Sequence, residues 1–296
     1  MAPIAALAGI ALNLTSRVSN RLAGHGAYRL FHMPLARSGI RPAEQELFAT
    51  AEVQRMEAGG RSTVVYRWGN GERPVILVHG WQSRGSRLAD FIPGLLASGH
   101  SVITFDAPAH GDSAGRSTTI QDYRHILTGL QERYGEFDAV VAHSLGALGS
   151  FFALRHGVRT KRIATISGVC DYEYLIDEFC STVPLRPRLK ARLRALVVKN
   201  LFSDLPADQR PFSAANGTAA SLGIPLLVVH DADDLRIRVE QGHRLADAFG
   251  DRARLVVTSG LGHRRILGDP EVVAAVLDFV GHGRIAEAGT EAVTAR

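Results

Sequence analysis

The stretch that decides the fold reads Asp138-Ala139-Val140-Val141-Ala142-His143-Ser144-Leu145-Gly146. Its first six residues form a short apolar run closed by a histidine, the pattern of a strand buried on both faces of a parallel sheet. From Leu145 to His156 the apolar spacing becomes helical. A serine on so tight a strand-to-helix turn is held in a strained backbone conformation that exposes its hydroxyl. Ala142 and Gly146, two residues before and after it, are small enough for strand and helix to crowd together. The helix N-terminus aims its free amides at developing negative charge. Ser144 is therefore a candidate nucleophile, and the N–H of Leu145 a candidate oxyanion donor. A plain helix N-cap is the structural use of the same residue. The pentapeptide alone is common, and its place between a buried strand and a helix gives it weight.

Working outward, the same alternation recurs. Val75–His79, Ser101–Asp106, Arg162–Ser167, Pro225–His230 and Arg254–Ser259 read as further buried strands. Glu52–Ala58 and Ser62–Trp68 read as a hairpin around Gly59-Gly60. Helical spacing predicts helices over Ser86–Ala97, Gln121–Tyr134, Glu240–Phe249 and Pro270–Val280. The last has Asp269 as N-cap, Pro270 in its first turn and Gly281 as its stop. Strands and helices in this order predict a doubly wound, mostly parallel eight-stranded α/β sheet flanked by helices. About 55 residues separate the sixth strand from the seventh, too many for a structureless loop. A helical cap inserted after strand six is expected there. The expected organisation is a lead-in with an N-terminal amphipathic helix over 1–50, a catalytic domain over 51–169 and 224–283, a cap over 170–223 and a tail over 284–296.

Composition sets the outer bounds. The 296 residues are 46% hydrophobic and 21% charged, with formal net charge +5, which excludes disorder for most of the chain. Two cysteines, Cys170 and Cys180, cannot make a disulfide framework and fit a cytoplasmic compartment. Met1–Leu14 is apolar but has neither the basic leader nor the cleavage site of a secretory signal, and is too short to span a bilayer. Ile4, Leu7, Ala8, Ala11, Leu12, Val18 and Leu22 recur at helical spacing, with Arg17 and Arg21 on the other side. The plain expectation is a helix packed on the domain by this apolar face. The sharper one is contact with a membrane surface or a second copy.

A serine nucleophile needs a base. Of twelve histidines, His263 follows the last strand at the sheet edge where the Ser144 turn lies. His143 adjoins Ser144, but strand alternation aims it elsewhere. A carboxylate must then hold the imidazole. The seventh strand runs into Asp231-Ala232-Asp233-Asp234, where three acids compete and turn or cap roles account for at least two.

At this point the chain resembles the α/β-hydrolase fold superfamily, in its serine hydrolase branch. Val75-Ile76-Leu77-Val78-His79-Gly80-Trp81 resembles that family's strand with a His-Gly motif. Phe105-Asp106-Ala107-Pro108-Ala109-His110-Gly111-Asp112-Ser113 resembles its Asp-x-Pro-Gly-His-Gly-x-Ser loop. The order serine, acid, histidine also matches. The resemblance covers roughly residues 52–280. It implies Asp234 as the acid and the Trp81 N–H as the second oxyanion donor. Three positions depart from the pattern: Ala142, Ala109 and Asp231 each stand where the family has glycine, and the last keeps Asp231 as a rival to Asp234.

The implied chemistry is cleavage of a carboxylic ester or thioester of a small acyl substrate through an acyl-enzyme. Acyl transfer by the same three groups is the alternative, and a catalytically idle receptor of the same fold is the alternative of another class. No metal or cofactor is expected, since no Cys/His cluster has zinc spacing and no phosphate-binding loop follows the first strand. No nucleic-acid motif is present. The sequence pI of about 9.5 draws attention to Leu185–Lys199, a helical run carrying Arg186, Arg188, Lys190, Arg192, Arg194 and Lys199 with no acid. It reads as a cap helix with a solvated basic face. The functional reading is attraction of an anionic acyl substrate or a peripheral membrane contact.

Overall fold

The computed structural model describes residues 2–216, 221–283 and 291–293. In chain order its elements are α1 (Ala2–Val18), α2 (Asn20–Phe31), α3 (Pro42–Ala49), β1 (Glu52–Ala58), β2 (Arg61–Trp68), β3 (Pro74–Val78), α4 (Ile92–Ala97), β4 (Ser101–Asp106), α5 (Ile120–Tyr134), β5 (Ala139–His143), α6 (Leu145–Arg155) and β6 (Ile163–Ile166). Next come α7 (Tyr172–Thr182), α8 (Pro187–Leu201), β7 (Leu226–Asp231), α9 (Glu240–Phe249), β8 (Ala253–Thr258), α10 (Gly262–Arg265), α11 (Pro270–His282) and β9 (Glu291–Val293). Among the described residues, no helix is long and apolar enough to cross a membrane.

The chain divides into two compact units. One holds 34–170 and 214–296, and is built on a single sheet ordered β1-β2-β4-β3-β5-β6-β7-β8-β9. β2 runs antiparallel to both of its neighbours, and every other pair is parallel. Every residue of β3, β4, β5, β6 and β7 is buried. That explains their unbroken apolar runs, because flanking helices cover both faces. β1, at the sheet edge, is largely exposed. The eight expected strands are present. β9 adds a ninth, paired parallel to β8, within the stretch expected to be only a tail.

From β3 the chain moves to β4 on one side, then crosses to β5 on the other. The ends of β3 and β5 therefore flank the switch point of the sheet, where open α/β folds form their ligand crevice. His79-Gly80-Trp81 leaves β3 there and Ser144 leaves β5.

Local differences from the sequence reading have physical causes. The helix expected over 86–97 opens as a 3-10 turn, Gly85–Phe91, and becomes α4 only at Ile92, where Pro93 sits in the first turn. The last helix passes Gly281 and stops at Gly283, whose φ of 63° gives the left-handed cap. Asp269 caps its start as expected, accepting from the N–H of Glu271 and Val272.

The other unit holds 1–33 and 171–213. The expected lead-in over 1–50 is thus divided. Residues 34–50 belong with the sheet because α3 is tied to it. Phe48 packs edge-on against Tyr66 and Trp68, and Glu44 accepts from the Ser86 hydroxyl at 2.6 Å and pairs with Arg87. The interval between β6 and β7 is helical, as expected. In α8, Leu189, Leu193, Leu196, Val197 and Leu201 are buried. The expected N-terminal helix is two, α1 and α2, joined at Ser19, whose hydroxyl caps α2 through the Leu22 N–H. The expected apolar face is split: Ala8 and Leu12 are half-buried, while Leu7, Ala11, Val18 and Leu22 are exposed, as are Arg17 and Arg21.

Candidate active site

Ser144 sits at φ 57°, ψ −124°, between the last residue of β5 and the first of α6. A positive φ is costly for a residue with a Cβ and persists only where its surroundings enforce it. Here the Ser144 N–H donates to the Ile166 carbonyl, and its own carbonyl accepts from the N–H of Ala147 and Val169. Crowding enforces the small neighbours too. A Cβ on Gly146 would stand 2.6 Å from the carbonyl oxygens of Val78 and His79. A Cβ on Gly80 would stand 2.7 Å from the Ser144 Cβ. The Gly80-Trp81 backbone therefore runs directly beside the serine. Among the described residues, neither the Trp81 N–H nor the Leu145 N–H donates within the protein.

The two rival acids of the β7 loop have separate work. Asp231 is wholly buried. One of its carboxylate oxygens accepts from the Asp233 N–H at 3.0 Å. The other accepts from the Thr258 hydroxyl at 2.7 Å and the Leu261 N–H at 3.1 Å. It ties the end of β7 to the end of β8. Burial works against its ionisation, but the Thr258 hydroxyl and the N–H groups of Gly262, Leu261 and Asp233 hold its carboxyl below the ordinary value. Asp234 accepts on one oxygen from the N–H of Arg236 at 2.8 Å and Ile237 at 3.0 Å. Its other oxygen lies 2.7 Å from Nδ1 of His263. Burial again opposes ionisation. The His263 hydrogen bond and charge, with the two N–H groups, outweigh it and bring the carboxyl to about 2.

Because an ionised carboxylate can only accept, Nδ1 of His263 carries a proton, so in the neutral ring Nε2 is the nitrogen with the lone pair. The structure brings Asp234 and His263 together. Among the described residues, the Ser144 hydroxyl makes no hydrogen bond, to His263 or to any other group. Hydrogen bonds of this kind often close only around a substrate. The link between serine turn and histidine is His143. Its ring lies 4.7 Å from that of His263, and its Nε2 donates to the His263 carbonyl at 2.9 Å.

Three histidines have structural roles that the sequence reading did not assign. His79 accepts the Ala107 N–H on Nε2 at 2.9 Å, so its Nδ1 is the donor, to the Gly80 carbonyl at 2.7 Å. His110 accepts the Gln82 N–H on Nε2 at 3.0 Å and donates from Nδ1 to the Pro108 carbonyl at 3.0 Å. Together they fasten residues 79–82, and Trp81 within them, to the loop after β4. Burial pushes His79 down to about 4, and His110 and His143 to about 3, the latter helped by the His263 charge. The hydrogen bonds of His79 and His110 require neutral rings, and burial keeps His143 neutral as well. The signal in the sequence was the spacing of His79 and His110 after successive buried strands.

The loop after β4 is anchored by Asp106, which is buried. It accepts from the N–H of Gly85 and Asp112, the Tyr66 hydroxyl and the Arg84 guanidinium. Ala109, where the family pattern has glycine, is left-handed at φ 66°. Among the described residues, no three His, Cys, Asp or Glu side chains are grouped to hold a metal ion. A cavity of about 570 Å³ between α3, β1 and β2, lined by Phe48, Val53, Tyr66 and Asp112 among others, includes neither Ser144 nor His263.

Comparison with known proteins agrees with this architecture. The model of the alpha/beta hydrolase family matches residues 75–276. A dihydrolipoyllysine-residue acetyltransferase component of an acetoin cleaving system from Pseudomonas putida is 27% identical over 257 residues. That match covers 77% of this chain and 64% of the relative, so the chain spans less than two thirds of that protein. Among solved structures, an esterase of Pyrococcus furiosus superimposes with a TM-score of 0.62 at 20% identity, over 84% of this chain and 95% of the other. The naproxen esterase (carboxylesterase NP) of Bacillus subtilis gives 0.58 at 18% identity, over 80% and 94%. At these identities the two structures show a shared fold.

Proposed function

Starting from the chain's membership of the alpha/beta hydrolase family, we propose that it is a serine hydrolase of carboxylic esters or thioesters, with Ser144 as nucleophile, His263 as base and Asp234 as the orienting acid. The observation that carries this reading is the 2.7 Å contact of Asp234 with His263 Nδ1, at the same strand ends as a serine held at φ 57°. Asp231, spent on Thr258 and Leu261, has no oxygen on the histidine.

In the proposed reaction, Oγ of Ser144 attacks the substrate carbonyl as its proton passes to Nε2 of His263. Asp234 stabilises the resulting imidazolium. The carbonyl oxygen becomes an oxyanion and accepts from the N–H groups of Trp81 and Leu145, often the largest single catalytic contribution. Collapse of the tetrahedral species expels the alcohol or thiol, which takes the proton from His263. Water, deprotonated by the same nitrogen, then attacks the acyl-serine. Collapse of that second species restores the Ser144 hydroxyl and releases the acid.

The test is a panel of esters and thioesters of graded acyl length, with Ser144→Ala as the blank. Activity that survives in the blank rejects the mechanism. Transfer of the acyl group to an added alcohol or amine is the second reading, favoured by the relative from Pseudomonas putida whose name is that of an acetyltransferase component. Product analysis with such an acceptor present separates the two: free acid marks the hydrolase, and the acylated acceptor marks the transferase.

A further inference from the structure

Helix α1 turns an aliphatic stripe outward. Leu7, Ile10, Leu14 and Val18, spaced three and four apart along α1, are exposed by 65%, 54%, 53% and 92%, and Leu22 at the start of α2 by 66%. This spacing places them on one stripe of a helix. The opposite side carries Gly9 and Asn13 with the half-buried Ala8 and Leu12. A Cβ on Gly9 would stand 2.9 Å from the Pro184 ring. Asn13 donates to the Pro184 carbonyl at 2.7 Å and accepts the Arg186 N–H at 2.9 Å. This pair of hydrogen bonds to the α7–α8 turn fixes the rotation of α1, so the aliphatic stripe cannot roll inward without breaking both.

A row of exposed Leu, Ile and Val is unusual on a water-facing helix and marks a surface meant to be covered. Charge selects what covers it. Residues 1–33 carry Arg17, Arg21 and Arg29 and not one Asp or Glu, and all three arginines are exposed. Arg17, three residues from Leu14, and Arg29, seven from Leu22, flank this stripe rather than lying on the far side expected from the sequence. Packing it on a second copy would therefore bring arginines together with no acid in the segment to offset them. An anionic bilayer surface satisfies both features. Aliphatic side chains enter the boundary between headgroups and acyl chains, and guanidinium groups pair with phosphates. The basic run of α8 is less suited, since Lys190 and Arg194 are engaged by Asp177 and Glu173 of α7, each at 2.7 Å.

We propose that the exposed stripe of α1 and the start of α2 lies on an anionic phospholipid surface, as a peripheral contact of the full chain. The test is co-sedimentation of the full-length protein with phosphatidylcholine vesicles, with and without roughly 30 mol% phosphatidylglycerol. The wild type is expected to sediment with the anionic vesicles, and less so as salt is raised. Leu14→Gln with Val18→Gln should lower the bound fraction at least about tenfold. The triple variant Arg17→Gln, Arg21→Gln, Arg29→Gln should lose the preference for anionic over neutral vesicles. Val53→Gln, an exposed apolar change on β1, should bind as the wild type does. All variants are checked for an unchanged melting temperature. Wild-type protein left in the supernatant with anionic vesicles overturns the proposal, as does undiminished binding by the Leu14/Val18 variant. A dimer in size-exclusion chromatography that the Leu14/Val18 change splits, without vesicle binding, assigns the stripe to a second copy instead.

Discussion

Helices α8 and α1 carry the same kind of pattern and use it in opposite directions. In α8 the apolar residues at helical spacing are buried, while Arg186, Arg188, Arg194 and Lys199 are exposed. In α1 Asn13 is held by Pro184 and Arg186, and the aliphatic stripe of Leu7, Ile10, Leu14 and Val18 is exposed. Periodicity reports that one face of a helix differs from the other. It does not say which face meets the protein. That is decided by specific anchors, here the two hydrogen bonds of one asparagine. The sheet unit has no such freedom, because strands covered on both faces leave their apolar residues one destination.

If chemistry resides in the sheet unit and surface contact in the N-terminal helices, substitutions should separate cleanly. Ser144→Ala should have the largest effect, lowering kcat for ester hydrolysis by ~10³-fold or more with little change in the fold. The paired change in the β7 loop comes next. Asp234→Asn should cost roughly 10²- to 10⁴-fold in kcat. Asp231→Asn should cost less than about tenfold in kcat while lowering Tm by several degrees, since it leaves the buried Thr258 and Leu261 groups poorly paired. Equal losses from the two would erase the division of labour between them.

Acid should act on the sheet unit through its buried histidines. Burial holds His79 at about 4, and His110 and His143 at about 3, against 6.5 for an unhindered histidine. Between these limits the unfolded chain binds protons that the folded chain refuses. The stability these rings contribute is therefore complete above about pH 6.5 and falls as pH drops through that window, with roughly three protons taken up by them on unfolding near pH 5. Urea unfolding at a series of pH values measures the slope. A flat profile from about pH 7 to pH 5 would show that these rings are not held neutral.

Smaller effects sharpen the contrast. Ala109→Gly should raise unfolding stability by roughly 1 kcal/mol, because the left-handed φ of 66° strains alanine and not glycine. Leu14→Gln with Val18→Gln should leave kcat/KM on a water-soluble ester within about twofold of wild type, even where vesicle binding is lost.

Most of the sheet was legible in the sequence because each buried strand left a continuous apolar run closed by turn residues. The serine turn was legible for a different reason: Ala142 and Gly146 record steric crowding in their own identities. Choosing Asp234 over Asp231 was beyond residue type and spacing, since both are acids at the end of one strand. The choice there rested on family resemblance, and in the structure it rests on which carboxylate oxygen reaches His263. The neutral hydrogen-bonding roles of His79, His110 and His143 were hidden because a histidine's tautomer depends on partners far away in sequence. The outward face of α1 was hidden for a similar reason, its anchors lying about 170 residues along the chain.

The central claim is that Ser144 is a nucleophile activated by His263. Its most direct measurement is intact-mass analysis and peptide mapping after treatment with a fluorophosphonate. The account predicts a single adduct on the peptide carrying Ser144, formed at least about a hundredfold more slowly in His263→Ala. A correctly folded wild-type protein that stays unlabelled, or an adduct on another residue, would contradict it.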